Sequence, residues 1–416
     1  MKTIKSGVDQ VNIKRSIRKN LNQLLKLAPR ELRQSLFRQM LHLPIIPPSN
    51  ILVKFAESPD EFNQAFRLIQ ETYAHLGYCD RSTPMRATKY HTLPTTKVVI
   101  ILLDGKVIAT ITHILDNPMG LPIENQWSIQ ALREQGHLSA EISSLAISKQ
   151  WRHNHGLLHY MTRFLLDYAI NHLGVDTWVI VTHPSTRDFY QGVLCFQTLS
   201  EDIKHCGHVK NALGLAQMLD LNQLQENFFR LYRNRPPHQN IHDFYFVRDF
   251  SNCFQFPTPS IFLTNSMPRF YFKELFTTTT PIISDMSCRE RLILSGLYSD
   301  LVDHLGLPFL QNLRLRSLTS ISGQLRTRDA LLPVRVADVS SGGAKILSKF
   351  PLPLDHSPIR LMLPLQPKLE VPIRIVWNIN QRVAGVQICD PAPSTWLRWT
   401  EDLRRQFQTS MLTRVA

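Results

Sequence analysis

Asp104-Gly105, set between the apolar, β-rich runs "KVVIILL" and "KVIATITHIL", constrains the fold more than any other pair in the chain. The dipeptide supplies the two positive-φ positions of a tight hairpin turn, so the flanking runs must pair as antiparallel strands. Ahead of them, "ILVKF" reads as a strand and "SPDEFNQAFRLIQETYAHLGY" as a helix, with Ser58 as N-cap, Pro59 in the first helical position and Glu61 three residues after the cap. Behind them come a strand, "EISSLAI", a helix, "LLHYMTRFLLDYAINHL", ended by Gly174, and another strand, "TWVIVTH". A hairpin followed by strand, helix and strand predicts a mixed α/β unit over residues 51–250.

The rest of the 416-residue chain divides by texture, as expected for two or three folding units. Residues 1–50 are rich in Lys and Arg against only Asp9 and Glu31, and Ile17, Leu21, Leu24, Leu25, Leu32, Leu36 and Met40 share one helical stripe. This predicts a basic amphipathic helical arm, stopped by "LPIIPPSN". Such an arm docks on the protein's own body, or on anionic lipid or an acidic partner. Residues 251–306 read as a connector containing the helical "RERLILSGLYSDLVDHL". From 307 to 416 short strands separated by turns, among them "VPIRIVWN" and "VAGVQIC", precede a closing helix, "STWLRWTEDLRRQF"; this is the pattern of a small β-barrel.

Charge and cysteine usage narrow the function classes. Lys and Arg number 47 against 33 Asp and Glu, a net +14, which implies an acidic partner: nucleotide, nucleic acid, anionic membrane or acidic protein. A polymeric nucleic acid is not expected, because no helix-turn-helix, zinc-finger or RNA-binding signature accompanies the charge. The six cysteines lack a CxxC spacing, and no segment has the length and apolarity of a signal peptide or membrane span. A cytoplasmic protein is expected, with membrane association only through the arm.

The stretch "AEISSLAISKQWRHNHG", residues 140–156, runs from strand through loop into helix. His153, His155 and His159 have an HxHxxxH spacing, yet no carboxylate or cysteine joins them, so no metal is expected. The alternatives are a plain corner or a phosphate-binding loop. A helix N-terminus offers free N–H groups and the positive end of its dipole, and Arg152 and Gly156 are placed to assist.

The order of these elements, ending in "HPSTRDFYQGVLCF", resembles the fold of GCN5-related N-acetyltransferases. More narrowly, "AHLGYCD", "LPTTKVVIILLDGKVIATITHILDNPMGLPIE" and "LREQGHLSAEISSLAI" resemble N-acyl amino acid synthases of FeeM type, relatives of the acyl-homoserine lactone synthases. The fold class expected is therefore α/β (α+β), with a second, smaller barrel. The resemblance implies transfer of a long-chain acyl group from a thioester to the amine of an amino acid. Glu141 falls on the family's strand glutamate and would bind or deprotonate the amine; Tyr190 matches the tyrosine that faces the leaving sulfur as general acid. Arg86 is a candidate for gripping the substrate carboxylate, and Ser143 and Ser144 for lining the site. Two departures matter. "QWRHNHGLL" offers one glycine where coenzyme A users have a glycine-rich loop, which favours an acyl carrier protein over acyl-coenzyme A as co-substrate. Lactone synthases have an arginine where this chain has Ser144, which argues against lactone formation.

In "VRVADVSSGGAKIL", Asp338, Ser340 and Gly343 form a D-x-S-x-x-G pattern which, with the later "VAGVQI", resembles a PilZ domain and implies cyclic di-GMP as effector. The family's arginine pair is altered: Arg316 stands at its second position, Asn312 at its first, and Arg314 between them is a substitute. No tightly bound cofactor is expected. A competing reading keeps the nucleotide response but treats the first domain as a non-catalytic docking module, because the glycine-rich loop is missing.

Overall fold

The computed structural model describes residues 28–45, 47, 50–152, 156–258, 263–298, 305, 316–328, 330–353, 359–365, 368–389 and 391–412. His153, His155, Asn312 and Arg314 lie outside the described residues, as does most of the basic arm.

The arm's described part forms α1 (Arg30–Gln39). The first domain follows with β1 (Ile51–Phe55), α2 (Pro59–His75), β2 (Thr96–Leu103), β3 (Lys106–Leu115), β4 (Ser139–Ile147), α3 (Leu157–Asp167), β5 (Thr177–Thr182), α4 (Arg187–Leu194), β6 (Gln197–Cys206), β7 (Ala212–Asp220), α5 (Leu224–Tyr232) and β8 (Phe254–Gln255). The strands make one sheet in the order β6-β7-β5-β4-β3-β2-β1-β8. Asp104 and Gly105 adopt φ of 50° and 75°, the turn that the dipeptide dictates. Ser58 and Glu61 complete a reciprocal cap at the start of α2. In α3, Leu157, Tyr160, Met161, Phe164 and Leu165 recur at helical spacing and are buried against the sheet. The helix widens over Tyr168–Leu173 and ends at Gly174, whose φ of 63° only glycine takes without strain.

The connector is not a loose linker. β8 pairs in parallel with β1, and Met267, Phe272, Phe276, Leu294 and Tyr298 belong to the same hydrophobic core as the first domain. Its last described helix is α6 (Cys288–Leu297), capped by Ser287 and Glu290. The C-terminal domain is a closed antiparallel barrel of β9 (Ser317–Arg326), β10 (Leu331–Ser340), β11 (Gly343–Leu347), β12 (Ile359–Leu363), β13 (Leu369–Ile379) and β14 (Val383–Ile388), with α7 (Ser394–Leu412) packed on its core through Trp396 and Leu403. Among the described residues no helix is long and apolar enough to cross a membrane.

The two domains meet at Asp176. This carboxylate is 2% exposed, accepts from the Leu138 N–H at 3.0 Å and Asn222 at 3.3 Å, and pairs with Lys349 of the barrel at 2.5 Å. Burial opposes its ionisation, but Lys349, the Leu138 N–H and Asn222 outweigh burial and hold it below the ordinary range. Ser320 adds a bond to the Leu173 carbonyl at 2.8 Å. Asp176→Asn is expected to cost about 1–3 kcal/mol, mostly through the buried N–H and amide bonds, since Lys349 is exposed and screened. For a carboxylate held low, the stabilisation is present above the usual value near 3.8 and is lost as pH falls below it. Calorimetry of the full chain at pH 7 and pH 3 checks this: the difference between native chain and variant should shrink at the lower pH.

Candidate active site

β4 is the element that makes a site. It pairs with β5 only over Ser139↔Thr177, Ala140↔Trp178 and Glu141↔Val179, while β5 continues to Thr182 along β7. Past Glu141 the two strands part, and the sheet opens into a wedge. On the other edge of β4, Thr112 faces Ser143 but Thr110 faces Ala146, so Ser144 and Leu145 stand opposite the single residue Ile111. This is a β-bulge, and Ser144 takes a φ of 52°, unusual for a residue with a side chain. Strain of this kind, at the point where a sheet splits, marks backbone set aside from the ladder.

A cavity of about 190 Å³ occupies the wedge. Glu141, Ser143, Ser144 and Tyr190 all line it, so four residues singled out from the sequence come together there. Glu141 is 3% exposed, and its Oε2 accepts from the Ile123 N–H at 2.6 Å. Burial pushes its pKa up to about 8; the Ile123 bond pulls the other way, and the nearby charge of Glu124 adds to the rise. A carboxylate near 8 is matched to proton transfer at neutral pH. Tyr190, from α4, is pushed up to about 12, first by burial and then by neighbouring Tyr73, so its hydroxyl keeps its proton. The far end of the cavity is apolar: Trp178, Leu194 and Phe196 also wall a small adjoining void whose floor is Leu224 and Phe228.

Arg86 stands at the rim rather than in the cavity. Its guanidinium lies 5.2 Å from the Tyr73 ring and donates to the His208 carbonyl at 2.7 Å, and both Tyr73 and His208 line the cavity. Arg152 and Gly156 lie away from it. Arg152 donates to the Ile147 carbonyl at 2.9 Å and reaches Thr72, tying the end of β4 to α2. Gly156 caps α3 with a φ of 60°, and a side chain there would meet the ring of Pro44 at 2.5 Å. The segment after α1 therefore covers the N-terminus of α3. His159 is buried, with Nδ1 3.0 Å from the Tyr245 hydroxyl.

The sequence reading missed Tyr73 and Ile123. Tyr73 lines the cavity together with Ser144 and carries the Arg86 guanidinium over its ring; its helix is plain in the sequence, but which face meets the bulge is set by tertiary packing. Ile123 contributes only a backbone N–H, for which no side-chain pattern exists.

In the barrel, Asp338 is buried and hydrogen-bonded to Arg316. Ser340 and Gly343 close the β10–β11 turn. The glycine is required there by close packing, since a Cβ would stand 2.2 Å from the Val386 carbonyl of β14.

Two regions of the chain match known protein families. Residues 64–219 match the family described as N-acyl amino acid synthase FeeM, and residues 312–401 match the PilZ domain. Similar solved structures include FeeM, an N-acyl amino acid synthase from uncultured soil microbes, at 22% identity over 42% of this chain and 93% of that one, with a TM-score of 0.38. The AHL synthase LasI is similar at 17% identity over 41% and 89%, with a TM-score of 0.33. The coenzyme A-dependent acyl-homoserine lactone synthase BjaI is similar at 12% over 52% and 96%, with a TM-score of 0.35. No curated protein matches the chain. Residues 64–219 thus form an N-acyltransferase domain of the FeeM N-acyl amino acid synthase family, joined in one chain to a PilZ domain over residues 312–401.

Proposed function

We propose that the first domain moves a long-chain fatty acyl group from an acyl carrier protein thioester to the amine of an amino acid, and that the PilZ barrel binds cyclic di-GMP as its effector. The observation that carries the first part is Glu141, a buried carboxylate whose pKa is raised to about 8, which lines one cavity together with Tyr190. The amine nitrogen attacks the thioester carbon, the C–S bond breaks, Glu141 takes the amine proton, and Tyr190 protonates the departing thiolate. The bulge at Ser144-Leu145 supports a role in holding the carbonyl oxygen through backbone N–H groups. Arg86, stacked on Tyr73 at the rim, suits the amino acid's carboxylate. The acyl tail runs toward Phe196 and Phe228.

The covered N-terminus of α3 supports the carrier protein as donor. Coenzyme A presents a pyrophosphate that helix N-termini accommodate, whereas a carrier-borne pantetheine arm needs only the wedge. Here Pro44 sits against Gly156, fastened by Arg248 to the Pro44 carbonyl at 2.7 Å and by the Leu43 N–H to His238 at 2.7 Å. The basic α1, docked on α4 through Arg33–Asp188 and Phe37–Phe189, lies next to Tyr190 and offers an acidic carrier its complement. In the barrel, Arg316 and Asp338 are the ligand contacts, with Ser340 and Gly343 shaping the turn between β10 and β11; Arg314, outside the described residues, is the substitute arginine.

The test is transfer by the purified full chain, with a mixture of amino acids and the same long acyl chain on carrier protein or on coenzyme A, read by mass spectrometry of N-acyl amino acids. Product is expected from the carrier thioester at least about tenfold faster than from coenzyme A. Equal rates would remove the carrier reading, and no acyl amino acid from either donor would remove the function.

A further inference from the structure

A second cavity, of about 650 Å³, lies between the two domains. Its size is that of a site for a nucleotide or cofactor. One wall is the barrel: Arg316 and Asp338, with Lys345 and Trp377 beside them. A second is α6, which contributes Arg289, and the third is the first domain's loop Asn117–Gly120 with Glu124 and Arg133. Arg133 is held by both Asp116 and Glu124, while Arg316, paired with Asp338, presents the barrel's own ligand contacts to the cavity. Arg289 and Lys345 form no ion pair among the described residues and face a space able to hold an anion. Trp377 is 46% exposed and leaves an indole face for a base to stack on.

The third wall is also a wall of the active site. Glu124 lines the interdomain cavity, and its neighbours in sequence, Pro122 and Ile123, line the acyl cavity. The loop between them is rigid: Arg133 bridges Asp116 and Glu124, Glu124 accepts from the Leu121 N–H at 2.7 Å, and Gly120 is closed onto Asn117 at 2.9 Å. At its other end the Ile123 N–H holds Glu141. The barrel's approach is fixed as well, by the Arg316 N–H on the Gly296 carbonyl of α6 at 3.0 Å.

We infer that the effector of the barrel is bound between the domains rather than on the barrel alone, with Arg289 and the Asn117–Glu124 loop completing its site, and that its occupancy is passed to Glu141 through Glu124 and Ile123. The ligand class is a cyclic dinucleotide, whose two phosphates meet Arg289 and Lys345 and whose purine stacks on Trp377. This rests on the reading of the barrel as a cyclic di-GMP receptor. A ligand seated there touches both domains, which is what coupling requires.

The experiment titrates the full chain with cyclic di-GMP by calorimetry, in the native form and as Arg289→Ala, and measures kcat/KM for acyl transfer by the native chain with and without saturating ligand. Arg289 is exposed on a helix, so its removal leaves the fold in place, and a thermal melt alongside verifies this. Native binding weakened about ten- to a hundredfold by Arg289→Ala, the loss of one charge-assisted contact, with kcat/KM changed by ligand, supports the inference. No heat with the native chain overturns the reading of the barrel itself. Binding that is equally tight in the variant, or a native kcat/KM indifferent to ligand, leaves that reading standing and overturns the composite, coupled site.

Discussion

Glu141→Gln is expected to slow acyl transfer by about 10²- to 10⁴-fold, the usual loss when a positioned general base is removed. Gln retains the size of the side chain and an oxygen for the Ile123 N–H, so the loss belongs to proton transfer rather than to a collapsed cavity. The native pH profile tests the assignment independently. Burial raises the carboxyl to about 8, so at lower pH most molecules carry a protonated Glu141 that cannot take the amine proton. Native kcat/KM should therefore climb with pH and level off above about 8, and the variant should lack that limb. Stability moves the opposite way. A carboxyl raised on folding contributes stability that is complete below its usual value of 4.5 and lost as pH rises through about 8, so the native chain should weaken relative to Glu141→Gln across that window. A variant with native kcat/KM, or a native profile flat between pH 6 and 9, would remove Glu141 from the chemistry.

The fold was written in local signals wherever backbone geometry is decided locally. Asp104-Gly105 forces a turn, Ser58 with Glu61 starts a helix, and Gly174 ends one, because each conformation is selected by residues within a few positions of it. The features that turn the sheet into a site are of another kind. The parting of β4 from β5 after Glu141 and the bulge at Ser144 arise from how strands meet across the sheet, and "EISSLAI" looks the same with or without them. Glu141 could be found because a carboxylate in an apolar strand is conspicuous; its partner Ile123 could not, because a backbone N–H has no residue type. Gly156 shows the limit of motif reading. As a glycine at a helix start it suggests anion binding, yet its missing Cβ is filled by Pro44, more than a hundred residues earlier in the chain. Likewise β8, two residues long, joins the edge of the sheet and draws the connector into the first domain's core, a pairing too short to announce itself by alternation.

Trp396→Ala should produce the largest stability change in the C-terminal domain. Trp396 is fully buried where α7 packs on the barrel, against a core that includes Leu361, Val386 and Leu403, and its Nε1–H donates to the Ser340 and Ser341 carbonyls at 3.2 and 3.1 Å. Truncating a buried aromatic to Ala costs about 3–5 kcal/mol, and the two orphaned carbonyls add to it. Against a total of about 5–15 kcal/mol for a domain, that is a large fraction, enough to lower the barrel's transition by upwards of about 10 °C. Calorimetry of the full chain should show an early transition separate from the first domain's, whose core contains none of these residues. An unchanged single transition would mean that α7 is dispensable to the barrel. The consequence for regulation follows from the bonds themselves. Ser340 and Ser341 form the turn that carries Asp338 on one strand and Gly343 on the next, so the tryptophan that anchors the turn also holds Asp338 against Arg316. Loss of the anchor should therefore abolish the response to cyclic di-GMP at temperatures where acyl transfer still proceeds.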